Sequence, residues 1–354
     1  GPGAVSDKDE AYVKYDLRNW TRRLEPVFPY DWHGAPNIEH VDNVRYMEFP
    51  SRLHAVPKTQ SGPRLIAAEP TAHQWVQGGI QRWLEERIPH TILKSCIDFR
   101  SQQVSRDLAL WSSRHGTYAT VDLSSASDRL TTRLVEYVFQ GNRSLLDGLH
   151  AARTRAVDLG EHELILLRKF STQGSAVVFP VQTIVYATLA LWALALTRGV
   201  EDFDAIAALA PSVRVFGDDI ILPIDAYPVL TSLLETCLLK VNKQKSFARG
   251  KFRESCGMDA YDGIDVTPAY YREAYDSSSP TALESVVECS NNFFKKGYWH
   301  SAKYLEKTVP HPEAKNLPII GMKEQDSRFL GFASFCGENL DHLKVRVNRD
   351  THVE

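Results

Sequence analysis

The sequence predicts an α+β fold, a small antiparallel sheet with helices on one face, and three segments predict it. Residues Val213 to Pro223 read Val-Arg-Val-Phe-Gly-Asp-Asp-Ile-Ile-Leu-Pro. Two short apolar arms around Gly217-Asp218-Asp219 have the pattern of a hairpin, with Gly-Asp-Asp as its turn. Residues Tyr118 to Leu123 read as a strand ending at Asp122, followed by a polar turn and a helix. Residues Val177 to Leu196 are apolar enough for a helix buried all round.

Taken in chain order, Arg52 to Ile66 reads as a β-ribbon turned by Ser61-Gly62-Pro63. After Asp122, the turn Ser124 to Asp128 leads into a helix with Leu130, Leu134, Tyr137 and Val138 on one face. In the apolar run, Pro180 suits a first helical turn and Gly199 a helix end, leaving a shorter helical run between them. The whole run is near the roughly 20 residues that a bilayer requires. Gln182, Thr183 and Thr188, and the lack of a second such run in the sequence, favour the core of a soluble protein instead. Asp225 to Lys240 reads as a helix with Pro228 in its first turn and Leu230, Leu233, Leu234 and Leu238 as apolar positions. Ser279-Pro280 opens a further helix toward Phe294. No repeat or low-complexity linker interrupts the 354 residues, so interwoven lobes are expected.

Composition narrows the partners. A net charge of -3 gives no general attraction to polyanions, so nucleic-acid contacts must come from local clusters. The five cysteines are scattered without a Cys-x-x-Cys pair, which argues against a disulfide framework or zinc site and suits a reducing cytosol. Gly1-Pro2-Gly3 reads as a tag-cleavage remnant, and the charged stretch Ser6 to Lys14 lacks a signal-peptide pattern.

The carboxylates carry the chemistry. Two carboxylates at the tip of an apolar hairpin repel each other unless a cation sits beside them, and Mg²⁺ takes oxygen ligands completed by substrate phosphates. Alone, the pair is equally well an acidic turn. Set beside Asp122 in one sheet, Asp218 and Asp219 would offer ligands to two Mg²⁺ ions roughly 3.5–4 Å apart, an arrangement for in-line phosphoryl transfer. Asp128 has two readings. Ser125-Ala126-Ser127-Asp128 matches a capping box, and the same carboxylate can accept from a substrate hydroxyl such as a ribose 2′-OH.

Basic residues fall where a polyphosphate needs them. Arg52, His54, Lys58 and Arg64 lie on the ribbon. Lys240, Lys243, Lys245, Arg249, Lys251 and Arg253 place six cations in fourteen residues without an acid. Such a run is commonly a solvated face, but its position directly after the hairpin favours phosphate. The loop Ser171-Thr172-Gln173-Gly174-Ser175-Ala176 is small and polar, and is either a plain helix entry or a surface that a template or nucleotide approaches closely.

These blocks, in this order, resemble the levivirus-type RNA-dependent RNA polymerases, the catalytic subunits of positive-strand RNA phage replicases. The blocks are Val56 to Pro70, Thr120 to Asp128, Ser171 to Leu189, Phe216 to Pro223 and Phe252 to Pro268. The resemblance implies a right-hand fold. Fingers would span 1–116 with an insertion at 137–170, the palm 117–136 and 171–265, and the thumb 266–354. It implies Asp122 and Asp218 as principal metal ligands, with Asp219 beside them, for two Mg²⁺ ions that Mn²⁺ could replace. Lys58 and Arg64 become contacts to the incoming triphosphate, and Asp128, Ser171, Gly174 and Ser175 line the nucleotide. Lys245 falls where family polymerases protonate the leaving pyrophosphate, with Lys243 as the second candidate. From the basic clusters themselves, Arg52, Lys243, Arg249, Lys251 and Arg253 are expected as RNA contacts. Host translation elongation factors and a ribosomal protein are implied as partners, in the cytoplasm of the bacterial host, with no membrane.

Three positions depart from the better-known members. Ser175 and Ala176 stand where those have Asn and Gly, and Phe216 stands where Tyr is usual. A reverse transcriptase shares such a palm, but Gly217 before the pair and the lack of a bulky aromatic after Asp122 favour ribonucleotides. A scaffold on a decayed polymerase fold is disfavoured by the intact Asp122, Asp218, Asp219, Lys58 and Arg64.

Overall fold

The computed structural model describes residues 4–7, 17, 19–34, 45–59, 62–160, 163–271, 274–322 and 330–336. The chain divides into two compact units, Gly1–Val266 and Thr267–Glu354.

In the first unit, β1 (Ser51–Thr59) and β2 (Gly62–Ala68) pair antiparallel as the expected ribbon. Ser61 and the side chain of Lys58 lie outside the described residues. The helices α1 (Thr71–Arg87) and α2 (Gln103–His115) precede β3 (Tyr118–Val121). Beyond β3 the expected single helix is broken. A turn of helix, Ala126–Arg129, stops at Leu130, and Thr131 caps a new helix, α3 (Thr132–Phe139), by accepting from the Leu134 N–H at 3.1 Å. The cap resets the helical phase, so Val135 and Phe139 are buried while Tyr137 is exposed. Next come α4 (Arg143–Ala152), β4 (Ala156–Asp158) and β5 (Leu164–Leu166), and β4 and β5 extend the ribbon into a four-stranded sheet.

The core helix α5 (Val178–Arg198) starts before Pro180 and ends at Gly199, so it is not shortened as expected. It is long and apolar enough to cross a membrane, yet 78% of its most apolar 18-residue window is buried inside the protein. A short α6 (Phe203–Leu209) leads to β6 (Arg214–Phe216) and β7 (Asp219–Pro223), the expected hairpin. β7 lies centrally in the order β3-β7-β6, with both neighbours antiparallel. Ile220, Ile221 and Leu222 are all fully buried, which explains a continuous apolar run where a half-exposed strand would alternate. Each such side chain contributes roughly 1.5–3 kcal/mol on burial.

The next helix, α7 (Tyr227–Thr236), is shorter than expected, with Leu230 and Leu234 buried but Leu238 exposed beyond its end. The strands β8 (Phe252–Ser255), β9 (Met258–Tyr261) and β10 (Ile264–Asp265) form a separate antiparallel meander. The second unit holds α8 (Pro280–Lys295), opened by Ser279-Pro280 as expected, followed by α9 (Trp299–Thr308). Val286, Cys289, Leu305 and Val309 form its small apolar core.

Candidate active site

The register brings the carboxylates together. Val121 lies opposite Ile220, so the next antiparallel step sets Asp122, at the end of β3, beside Asp219, the first residue of β7. Phe216 pairs with Asp219, so the turn is Gly217 and Asp218 alone, and Asp219 belongs to the strand. This corrects the expectation that all three residues form the turn. Gly217 adopts φ +63, the conformation that a type II′ turn requires at its first central residue.

The core helix holds this tip in place. The Gly217 N–H donates to Thr183 Oγ1 at 3.1 Å, and the Phe179 ring meets Phe216 edge to face at 5.0 Å. A Cβ on Gly217 would stand 3.3 Å from the Phe179 ring and 3.4 Å from Gln182 Nε2. The polar interruptions Gln182 and Thr183 thus lie under the turn. The Tyr186 hydroxyl donates to the Ala126 carbonyl at 3.0 Å, and burial and the charge of Asp218 push its pKa up.

Each of the two strand carboxylates has a partner that the sequence did not reveal. Asn242 Nδ2 donates to Asp122 Oδ2 at 2.8 Å, and the Cys256 N–H donates to Asp219 Oδ2 at 3.2 Å. Burial raises the Asp122 pKa against the opposing Asn242 bond, and Asp218 raises it further. Burial, and then Asp218, push Asp219 up to about 7, with Cys256 opposing and Asp122 adding to the rise. Among the described residues, no three His, Cys, Asp or Glu side chains are gathered closely enough to hold a metal ion. The donor set nevertheless fits a hard divalent cation, because the charge of Asp218 raises the pKa of both Asp122 and Asp219, and positive charge relieves that repulsion.

The basic segment is less uniform than its sequence. Lys243 and Arg249 are exposed. Lys245 pairs with Glu254 at 2.8 Å, a bond that raises its pKa, and Lys251 pairs with Asp262 at 2.7 Å. Acids just beyond the run therefore neutralise two of its cations. Arg253 is fully buried and donates to the carbonyls of Tyr118 (2.7 Å), Gly250 (3.0 Å) and Phe252 (2.6 Å). It is a strap between β3 and β8, which overturns its assignment as an RNA contact. On the ribbon, Arg52 and Arg64 are exposed.

The loop Ser171 to Ala176 is built into the ribbon. Gly174, at φ +119, abuts β2 so tightly that a Cβ would lie 2.0 Å from the Ala67 carbonyl oxygen, and the Ala67 N–H donates to the Gln173 carbonyl at 2.7 Å. The close approach expected of a nucleotide is thus made by Ala67. Ser171 and Ser175 are buried, which removes them from a free nucleotide-lining surface. Thr172 Oγ1 donates to Glu69 at 3.2 Å. Glu69 is itself buried and also accepts from Thr154 and from Gln77 Nε2. Asp128 is exposed and ion-paired with Lys169. No capping box forms, because Ser125 takes φ +52 and its side chain makes no cap.

The three-stranded antiparallel sheet, with Asp122 and Asp219 side by side at one end and Asp218 on the adjoining turn, belongs to an α+β polymerase fold. The RNA-dependent RNA polymerase of a human picorbirnavirus shares the fold at a TM-score of 0.51 and 13% identity, over 73% of this chain and 56% of that one. The chain belongs to the family described as RNA replicase, beta-chain, whose profile matches residues 35–287. It is 34% identical over 229 residues to the RNA-directed RNA polymerase subunit beta of Qbeta virus (strain MX1), 64% of this chain and 36% of that one. It is 32% identical over 252 residues to the RNA-directed RNA polymerase beta chain of Escherichia phage MS2, 69% of this chain and 42% of that one. The chain therefore spans well under half the length of these relatives.

Proposed function

We propose that the chain is the catalytic core of an RNA phage replicase, copying single-stranded RNA from nucleoside triphosphates by two-metal nucleotidyl transfer. The observation that carries this reading is the register that sets Asp122 beside Asp219, with Asp218 on the adjoining turn. In this reading residues 1–116 and 137–170 are fingers, 117–136 and 171–265 palm, and 266–354 thumb.

Asp122 and Asp218 would hold Mg²⁺, or Mn²⁺ in its place, with Asp219 beside them. Bound there, the ions supply a lowered pKa for the attacking hydroxyl and neutralise charge on the leaving phosphate oxygens. The chain's own residues do the rest. Thr183 and Phe179 fix the turn, and Asn242 and the Cys256 N–H orient the carboxylates. Lys245, kept protonated in its ion pair with Glu254, would leave that pair to give its proton to pyrophosphate. Lys58 and Arg64 take the triphosphate, and Arg52, Lys243, Arg249 and Lys251 take the RNA backbone. Asp128 keeps acceptor capacity for a ribose 2′-OH while paired with Lys169. Host elongation factors and a ribosomal protein are proposed partners, in the bacterial cytoplasm.

The test supplies purified chain with a short RNA template, labelled ribonucleotides, and Mg²⁺ or Mn²⁺. Runs with and without a primer and a bacterial extract separate initiation and host-factor needs from chemistry. Template-dependent ribonucleotide incorporation, lost in Asp218→Asn, is expected. Equal synthesis by that variant would overturn the metal assignment, and a preference for deoxynucleotides would overturn the RNA product.

A further inference from the structure

The short segment Asn242 to Ser246 grips Asp122 on three sides. Asn242 gives its side-chain N–H to Asp122 Oδ2 at 2.8 Å and its backbone N–H to the Asp122 carbonyl at 2.9 Å. Ser246 Oγ accepts from the Asp122 N–H at 3.1 Å and stands 3.4 Å from the Asp122 carbonyl. Bridges at Leu123 with Val241 and at Thr120 with Phe247 continue this attachment on either side. The Lys245 N–H donates to the Asn242 carbonyl at 3.0 Å, so the lysine rides on a bracket whose two ends are both bonded to Asp122.

We propose that Asn242 is a positioning residue: it ties up Oδ2 of Asp122, presents Oδ1 to a divalent cation, and ties the place of Lys245 to that of Asp122. The proposal rests on the polymerase reading above. Its chemistry is that of a neutral amide donor. A lysine or arginine at this place would cancel the negative charge that a cation needs. An aliphatic side chain would leave the half-buried carboxylate free to rotate toward Asp218. The amide stabilises one orientation without altering the charge of the site.

The test uses the full chain and reads Mn²⁺ binding by electron paramagnetic resonance, without RNA or nucleotide, beside the Mg²⁺ concentration that half-saturates synthesis. Asn242→Leu is close in size but lacks the donor, and Asn242→Ser is too short to reach Oδ2. Each is expected to weaken Mn²⁺ binding and to raise the half-saturating Mg²⁺ by roughly tenfold, the size of one hydrogen bond to a charged group. The melting midpoint and the nucleotide KM should change little. Unchanged metal binding in both variants, with binding lost in Asp218→Asn, overturns the role of Asn242 alone. Unchanged binding in Asp218→Asn as well overturns the reading on which it rests. If the Leu variant does not fold, the Ser variant decides. If neither folds, Asn242 is a structural residue and the proposal fails.

Discussion

The Gly217 N–H donates to the Thr183 hydroxyl at 3.1 Å, fastening the turn that carries Asp218 to the core helix. Both groups are buried, so Thr183→Val, nearly the same shape, leaves a buried donor without its acceptor. The expected cost is about 1–3 kcal/mol. Urea unfolding checks it, and template-directed synthesis should fall at least tenfold as the turn loosens. Full activity in a variant destabilised by that amount would show that the anchor serves the fold alone.

Gly174 is held to Ala67 by contact that leaves no room for a methyl group. A Cβ there would lie 2.0 Å from a backbone oxygen, at a φ of +119 that L side chains rarely adopt. Gly174→Ala should therefore force the loop off β2 and cost at least about 3 kcal/mol. Thermal melting reads the cost. A melting midpoint equal to that of the parent chain would mean that loop and ribbon separate freely.

Some of this was legible in the sequence and some was not, for definable reasons. Gly217 between β-branched arms announces a hairpin because turn chemistry is local, and Pro180 and Gly199 mark a helix for the same reason. Thr131 as a fresh N-cap is equally local, but the apolar spacing beyond Asp128 obscured it. Asn242 is 120 residues from Asp122, and Cys256 is 37 from Asp219, so nothing near either carboxylate marks its partner. Gly174 and Ser175 look like an open loop until β2 is placed against them. The family blocks pointed to Asp122, Asp218 and Asp219, which the strand register brings to one end of the sheet, while their supports emerged only from pairing.

Glu69 gives a pH dependence whose sign can be worked out. Burial raises its pKa, opposed by the bonds from Thr154, Gln77 and Thr172. A carboxyl whose folded pKa lies above its unfolded value contributes stability that is fully present below the unfolded pKa. That stability is lost as pH rises through the folded pKa. Glu69→Gln cannot ionise and can still accept hydrogen bonds through its amide oxygen. Its stability relative to the parent chain should therefore rise as pH increases from about 4, the unfolded carboxyl pKa, through the raised folded pKa, read as urea midpoints. A gap that stays constant across that range would show that Glu69 does not change protonation on unfolding.

Arg253 and Arg249 lie four residues apart in one basic run, yet their environments separate their roles. Arg253 satisfies three backbone carbonyls from a fully buried position, whereas Arg249 is exposed. Arg253→Met strands those carbonyls and should destabilise the chain by about 3 kcal/mol while leaving the salt dependence of RNA binding intact. Arg249→Ala should do the reverse. Its melting point should stay near that of the parent chain, and the slope of log K against log salt should fall by about 0.7, the value for one phosphate contact on a single strand. Paired melting curves and RNA titrations at several salt concentrations distinguish the two. If Arg253→Met changes the salt slope while the fold holds, the side chain reaches RNA after all, and its burial between β3 and β8 is not its working state.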